Sequence, residues 1–110
     1  MSQQHRELAA GGWNRLSFAE QMGNIGSEVE RALSWRTKQN PDYSQKAFER
    51  ALELVDLTLE NAAGAARLRE VARMREAMVD FFMGSNEFAS TAASWKGYFS
   101  PFAYAARRHT

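Results

Sequence analysis

Side chains suited to catalysis are few in this chain, and they are far apart. It contains no cysteine, and its two histidines, His5 and His109, stand near opposite ends of the 110 residues. The absence of cysteine excludes thiol nucleophiles, thiolate metal sites and disulfides. No catalytic triad, phosphate-binding loop or dinucleotide motif is present either. We therefore predict a protein that is not an enzyme, with no catalytic residue and no cofactor.

A row of carboxylates raises the question of a metal site. Four acidic residues follow one another at spacings of four, three and four residues, which places them along one side of a helix: Glu49, Glu53, Asp56 and Glu60. A ferritin-like di-metal bundle also needs Glu-x-x-His on two helices, and neither histidine stands in that motif. We predict no metal. We expect this row to form salt bridges with Lys46 and Arg50 or with the basic face of a partner.

Arg75 is a charged residue whose position needs a partner. It falls near the centre of the predicted apolar face of the third helix, and an arginine side chain stays protonated in proteins. Candidate carboxylate partners are Asp56 on the second helix and Glu28 on the first. A structural ion pair, or a side chain that extends to solvent, is the preferred interpretation. An arginine that binds an anion in a pocket between helices is the alternative.

Clustered arginines suggest a second function, in nucleic-acid binding. Lysine and arginine number 14 against 13 aspartates and glutamates, whereas DNA-binding domains are usually far more basic. Contacts with phosphate would have to come from a local patch, for which the candidates are Arg69, Arg73, Arg107 and Arg108. Glu76 and Asp80 share the helix side of the first two and offset their charge. A nucleic-acid-associated module, such as a toxin–antitoxin component, is therefore the less favoured alternative.

Composition and periodicity predict an all-α protein. Alanine, leucine, glutamate, arginine and methionine are frequent, and β-branched residues are few. Apolar residues recur at helical spacing in segments that we place at about 17–38, 42 or 44–60, 65–83 and 90–108. In the third segment we expect the apolar face to consist of Leu68, Val71, Ala72, Met78, Val79 and Phe82. Short connections predict an antiparallel bundle of four helices.

Local signals mark where these helices begin, end or bend. Ser17 and Glu20 have the spacing of a capping box at the start of the first helix. Ser94 is a candidate cap for the last helix. Pro101 stands inside that helix, where a proline removes one hydrogen bond and clashes with the preceding turn. We therefore predict a kink near Gly97, or a break in which Pro101 opens a second short helix.

Two stripes of residues are candidates for a subunit interface. One consists of small residues on the first helix, Ala19, Gly23 and Gly26; the glycines each cost roughly 1 kcal/mol inside a helix, so a close contact should offset them. A crossing between subunits and a crossing within the chain explain it equally well. The second stripe is aromatic, with Trp95, Tyr98, Phe99 and Phe102. Aromatic surface of this extent favours a subunit contact over an internal core.

Four segments of the chain resemble a protein family. They are GNIGSEVERALSW, AFERALELVDLTLEN, RLREVARMREAMVDFF and YFSPFAYAAR, and together they lie within the region from Trp13 to Arg107. They look like a family of small, uncharacterised, all-helical prokaryotic proteins that has no assigned function. The resemblance implies a helical fold and transfers no catalytic residue.

These patterns combine into one set of expectations. We expect residues 1–12 to be disordered and residues 13–110 to form a single domain, with neither a signal peptide nor a membrane span, in the cytoplasm of a prokaryote. We predict a self-associating helical binding protein, either a dimer or a tetramer. Its ligand would be a partner protein or a small anion held between helices.

Overall fold

The computed structural model describes residues 11–108, and these form four α-helices joined by short connections. A 3₁₀ turn at Trp13–Arg15 comes before α1 (Phe18–Thr37), α2 (Pro41–Glu60), α3 (Ala65–Met83) and α4 (Ala92–Arg108). The predicted all-α bundle is confirmed. The expectation of disorder in residues 1–12 falls mostly on residues outside the described part; Gly11 and Gly12 lie within it and are partly buried.

The helix starts follow from short-range chemistry. The Ser17 hydroxyl accepts a hydrogen bond from the Glu20 backbone N–H at 3.1 Å, and the Glu20 carboxylate accepts one from the Ser17 N–H at 2.9 Å. This is the predicted capping box. At α2, the Asn40 side chain caps the first turn, and Pro41 occupies the first helical position, where a missing N–H costs nothing.

Helix α4 begins at a different cap from the predicted one, and of the two outcomes predicted near Pro101, a kink or a break, the break does not occur. Thr91, rather than Ser94, caps the helix: its hydroxyl accepts from the Ser94 N–H at 3.0 Å, and the Ser94 hydroxyl accepts from the Thr91 N–H at 2.8 Å. The helix runs without interruption through Pro101, so the predicted break does not occur. Pro101 and Gly97 are both exposed, and water can therefore solvate the carbonyl of Gly97 that the proline leaves without a donor.

The core lies along α1, which packs against α2 on one side and α4 on the other, while α2 also packs against α3. Burying apolar side chains from all four helices is the main source of stability. The side chains with no exposed surface are Met22, Ile25, Val29, Ala32, Ala47, Ala51, Val55, Val71 and Met78. Neighbouring helices run antiparallel, as is seen where Arg50 of α2 reaches back to Glu28 of α1.

The apolar face of α3 is rotated from the predicted one. Its buried residues are Val71, Met74 and Met78, whereas Leu68 keeps 47% of its surface exposed and Ala72 is exposed. The reason is that α3 packs closely on α2 alone, so only a narrow stripe is covered. Met74 was missing from the predicted face.

Candidate binding groove between α3 and α4

Helices α3 and α4 stay further apart than the other neighbouring helices, and a groove of about 410 Å³ runs between them. One wall comes from α3, the other from α4, and Phe88 of the connecting loop stands at one end. The residues that line it are Glu70, Arg73, Met74, Ala77, Phe88, Ser90, Ser94, Trp95 and Tyr98.

The floor of the groove is apolar and contains one unsatisfied donor. Met74 and Trp95 are each 5% exposed, and the Trp95 ring stacks on Phe99 with centroids 6.1 Å apart. Within residues 11–108, the indole Nε1 of Trp95 is the one buried side-chain nitrogen or oxygen that has no hydrogen-bond partner. A buried donor left in this state costs about 1–3 kcal/mol, which the packing of the Trp95 ring must offset.

The loop at residues 84–91 holds Phe88 outward. The Asp80 carboxylate accepts hydrogen bonds from the backbone N–H groups of Glu87 at 2.8 Å and of Phe88 at 3.0 Å. Ala89, the next residue, has a φ of 53°, a left-handed conformation that costs a residue with a Cβ about 1–2 kcal/mol. The result is a fixed loop that leaves 58% of the Phe88 surface exposed at the edge of the groove.

The polar contact across the groove joins Tyr98 to Glu70, with the phenol donating to the carboxylate at 2.9 Å. The pKa of the Tyr98 phenol is raised well above the usual 10.0. The largest cause is burial of the phenol, followed by the hydrogen bond to Glu70 and the negative charge of that carboxylate. The carboxylate is thereby engaged at one end of the groove. Arg73, at the neighbouring rim, is exposed and forms no salt bridge with any described residue.

Tyr98→Phe should lower the free energy of unfolding at neutral pH by about 1 kcal/mol, because solvent weakens a hydrogen bond to a half-exposed charge. The folded protein favours the neutral phenol, because its pKa is higher there than in the unfolded chain. The stability that Tyr98 contributes is therefore fully present below pH 10.0, where the unfolded phenol is also neutral, and it is lost as the pH rises further. The difference between wild type and variant should therefore narrow above pH 10, measured by urea unfolding. Tyr104→Phe, at an exposed phenol, serves as the control. A difference that stays constant up to pH 11 would exclude the Tyr98–Glu70 contact.

No family model, curated protein or solved structure matches the chain. The family resemblance stated from the sequence accordingly stays a prediction. Among residues 11–108, no helix is long and apolar enough to cross a membrane. In the same part of the chain, no cluster of three or more acidic or histidine side chains is placed to hold a metal ion.

The residues predicted for a subunit interface largely contact one another within the chain. A Cβ added at Gly26 would lie 2.8 Å from Phe99 Cβ, and one added at Gly23 would lie 3.8 Å from Ala103 Cα. Of the two explanations for the small residues, the structure therefore shows the internal crossing, between α1 and α4. Phe99 is almost fully buried there and is not available to a second subunit without opening the bundle. Trp95 is equally buried, and it also lines the groove between α3 and α4.

The remaining predicted interface residues lie at the edges of this crossing. Ala19 is partly buried on α1. Phe102 meets Phe18 edge to face at 5.8 Å and Tyr98 at 5.7 Å. Tyr98 also lines the groove, so it is the predicted interface residue that is partly accessible at the candidate site.

The structure brings Arg75 and Asp56 together and separates both from Glu28. Arg75 Nε lies 2.9 Å from Asp56 Oδ1, with the two side chains 40% and 52% exposed, so the pair is a surface salt bridge of α2 and α3. Glu28 is buried, and its carboxylate pairs instead with Arg31 at 2.6 Å and Arg50 at 2.8 Å. Asp56, a member of the row of carboxylates on α2, thus forms a salt bridge with α3.

The four arginines predicted to contact nucleic acid are exposed, and they lie on two helices. Arg69 and Arg73 are on α3, and Arg107 and Arg108 form the last turn of α4. The Arg108 guanidinium lies 5.8 Å above the Tyr104 ring. Of the four, Arg73 lines the groove.

Sequence reasoning missed the groove and most of its residues. Met74, Ala77 and Phe88 belong to no motif, and the sequence marks Arg73 only as part of a basic run. The one usable signal was Phe88, a large apolar residue in a polar segment between two predicted helices.

Proposed function

We propose that this protein is a non-enzymatic binding module that holds an apolar side chain of another polypeptide, together with a neighbouring acidic group, in the groove between α3 and α4. The observation that carries the proposal is the groove itself, whose floor is apolar and whose rim carries the exposed Arg73. A volume of about 410 Å³ lies within the range of ordinary ligand sites and accommodates an aromatic or leucine side chain with part of its backbone.

The charges at the rim support an acidic neighbour. Glu70 already accepts from Tyr98, whereas Arg73 has no salt bridge within the described residues. A guanidinium beside an apolar groove favours a carboxylate next to the apolar anchor. Recognition of this kind, with an apolar anchor in a groove and a charge at its edge, is common in peptide-binding domains.

The probe that tests this function is 4-phenylbutyrate, which carries a phenyl ring and a carboxylate. In NMR titrations of the monomeric protein, it should shift the backbone amides of residues 70–77 and 90–98. The Trp95 indole N–H should shift with them. The Trp13 indole N–H, which donates to Thr58 at 3.0 Å inside the core, should stay in place and serves as an internal reference.

Arg73→Glu should weaken binding of the probe about 3- to 10-fold, since a repulsive charge replaces an attractive one at the rim. Lys96→Glu makes the same change of charge in a different groove, between α1 and α4, and should leave the affinity unchanged. Shifts centred on Lys96, or equal effects of the two variants, would contradict the assignment of the groove. So would the absence of any shift in the monomeric protein at millimolar probe.

A further inference from the structure

We infer that the polypeptide entering this groove is a second copy of the same chain, whose Glu87 and Phe88 dock into it reciprocally. The inference rests on the proposed function and names its partner. It relocates the predicted self-association from the α1–α4 crossing, which the chain fills itself, to the open side of the bundle.

The first argument is that the docking element and its receptor lie on one face. A dimer with two-fold symmetry uses the same patch on both subunits, so the patch must carry both parts of the contact. Here Phe88 is 58% exposed at the end of the groove, and Trp95 and Met74 form the floor beside it. Two copies placed face to face can each insert Phe88 into the groove of the other.

The second argument is that the chain carries the ligand that the groove favours. The groove combines an apolar floor with Arg73 at its rim. The loop presents an acidic residue followed directly by an aromatic one, Glu87 and Phe88, both exposed. Asp80 fixes the backbone of this pair, so little conformational entropy is lost when it docks.

The third argument comes from the order of charges along α3 and its loop. Two charged side chains of α3 are already paired within the chain, Glu70 with Tyr98 and Arg75 with Asp56. Among the others from Arg69 onward, basic residues come first and acidic ones follow toward the loop, in the order Arg69, Arg73, Glu76, Asp80 and Glu87. At about 1.5 Å per residue, the basic and acidic ends of the helix are roughly 16 Å apart. An antiparallel two-fold arrangement lays each basic end on an acidic end, with Glu87 of one copy facing Arg73 of the other. A parallel arrangement opposes like charges, so the antiparallel one is favoured.

Charge exchange tests the contact. Light scattering behind size exclusion should give the wild-type protein twice the chain mass. Arg73→Glu and Glu87→Arg should each raise the dissociation constant of the dimer at least tenfold, because every contact between copies then opposes two like charges. An equimolar mixture of the two variants should dimerise as the wild type does, since each contact in the mixed dimer pairs opposite charges.

Control variants separate this surface from general effects of charge. Lys96→Glu and Glu30→Arg make the same changes in the groove between α1 and α4 and should leave the dimer intact, separately and mixed. Phe88→Ala removes an exposed side chain and should yield a monomer with an unchanged helical circular dichroism spectrum. A dimer that survives Phe88→Ala, or a mixture of Arg73→Glu with Glu87→Arg that stays monomeric, would overturn the inference.

A further titration distinguishes an error in the proposed partner from an error in the proposed function. Because a dimer competes with the probe, the 4-phenylbutyrate titration is repeated on the Glu87→Arg chain. A wild-type protein that is monomeric at 1 mM but whose groove binds the probe overturns the second copy as partner and leaves the groove as a site for another polypeptide. A monomer whose groove binds no probe overturns both.

Discussion

Trp13→Ala should lower the free energy of unfolding by about 3–5 kcal/mol, as is usual when a buried aromatic is truncated. Trp13 is 1% exposed. Its indole N–H donates to the Thr58 hydroxyl at 3.0 Å, and its carbonyl accepts from the Gln21 side chain at 2.9 Å. The side chain thus ties the segment before α1 to α2, whereas the bond to Gln21 of α1 uses the Trp13 backbone and is kept in the alanine variant. Urea unfolding followed by circular dichroism measures the loss.

Two other variants separate the loss of the Trp13 hydrogen bond from the general cost of truncating a tryptophan. Thr58→Val keeps the shape of the side chain but leaves the Trp13 N–H unpaired, and it should cost about 1–3 kcal/mol. Trp35→Ala truncates a tryptophan that is only partly buried, against Tyr43 at 4.8 Å, and it should cost less than Trp13→Ala. If Trp13→Ala and Trp35→Ala cost the same, the segment at 13–17 does not close the core.

The elements of this fold were predictable because their signals are local. Ser17 and Glu20 lie three residues apart and satisfy each other's backbone groups, so the start of α1 needs no information from the rest of the chain. The bounds predicted for the third helix agree with α3 at 65–83. The role of Trp13 was not predictable, since its partner Thr58 lies 45 residues away.

The candidate site was not predictable because tertiary packing determines it. Apolar residues lie on several sides of α3. From the sequence alone, an apolar face that contains Leu68 and Ala72 is therefore as plausible as one that contains Met74. Contact with α2 selects the face that is buried, and this places Arg75 at the edge, beside Asp56. The groove exists because α4 is held against α1 and away from α3. Sequence periodicity describes one helix at a time, so it does not report the space between two helices.

The position of α4 depends on Gly26, and alanine substitutions at the two glycines of α1 should therefore have effects of opposite sign. At Gly26, the new Cβ would lie 2.8 Å from both Cβ and Cγ of Phe99, atoms close to the backbone that cannot turn aside. Gly26→Ala should destabilise the protein by about 1–3 kcal/mol through overpacking. At Gly23 the nearest atom is 3.8 Å away, an ordinary contact. Gly23→Ala should stabilise by about 0.5–1 kcal/mol, because alanine is the better helix former.

Urea unfolding of the two variants at several protein concentrations decides between the internal crossing and a crossing between subunits. An internal crossing predicts opposite shifts, relative to the wild type, that do not depend on concentration, since the wild type and both variants then associate equally through the groove between α3 and α4. A crossing between subunits predicts that the penalty at Gly26 grows with protein concentration, because the wild type would then gain stability from association that the variant lacks. Equal shifts of the same sign at both positions would mean that Phe99 does not lie against α1. In that case α4 would be free to approach α3 and to close the groove on which the proposed function depends.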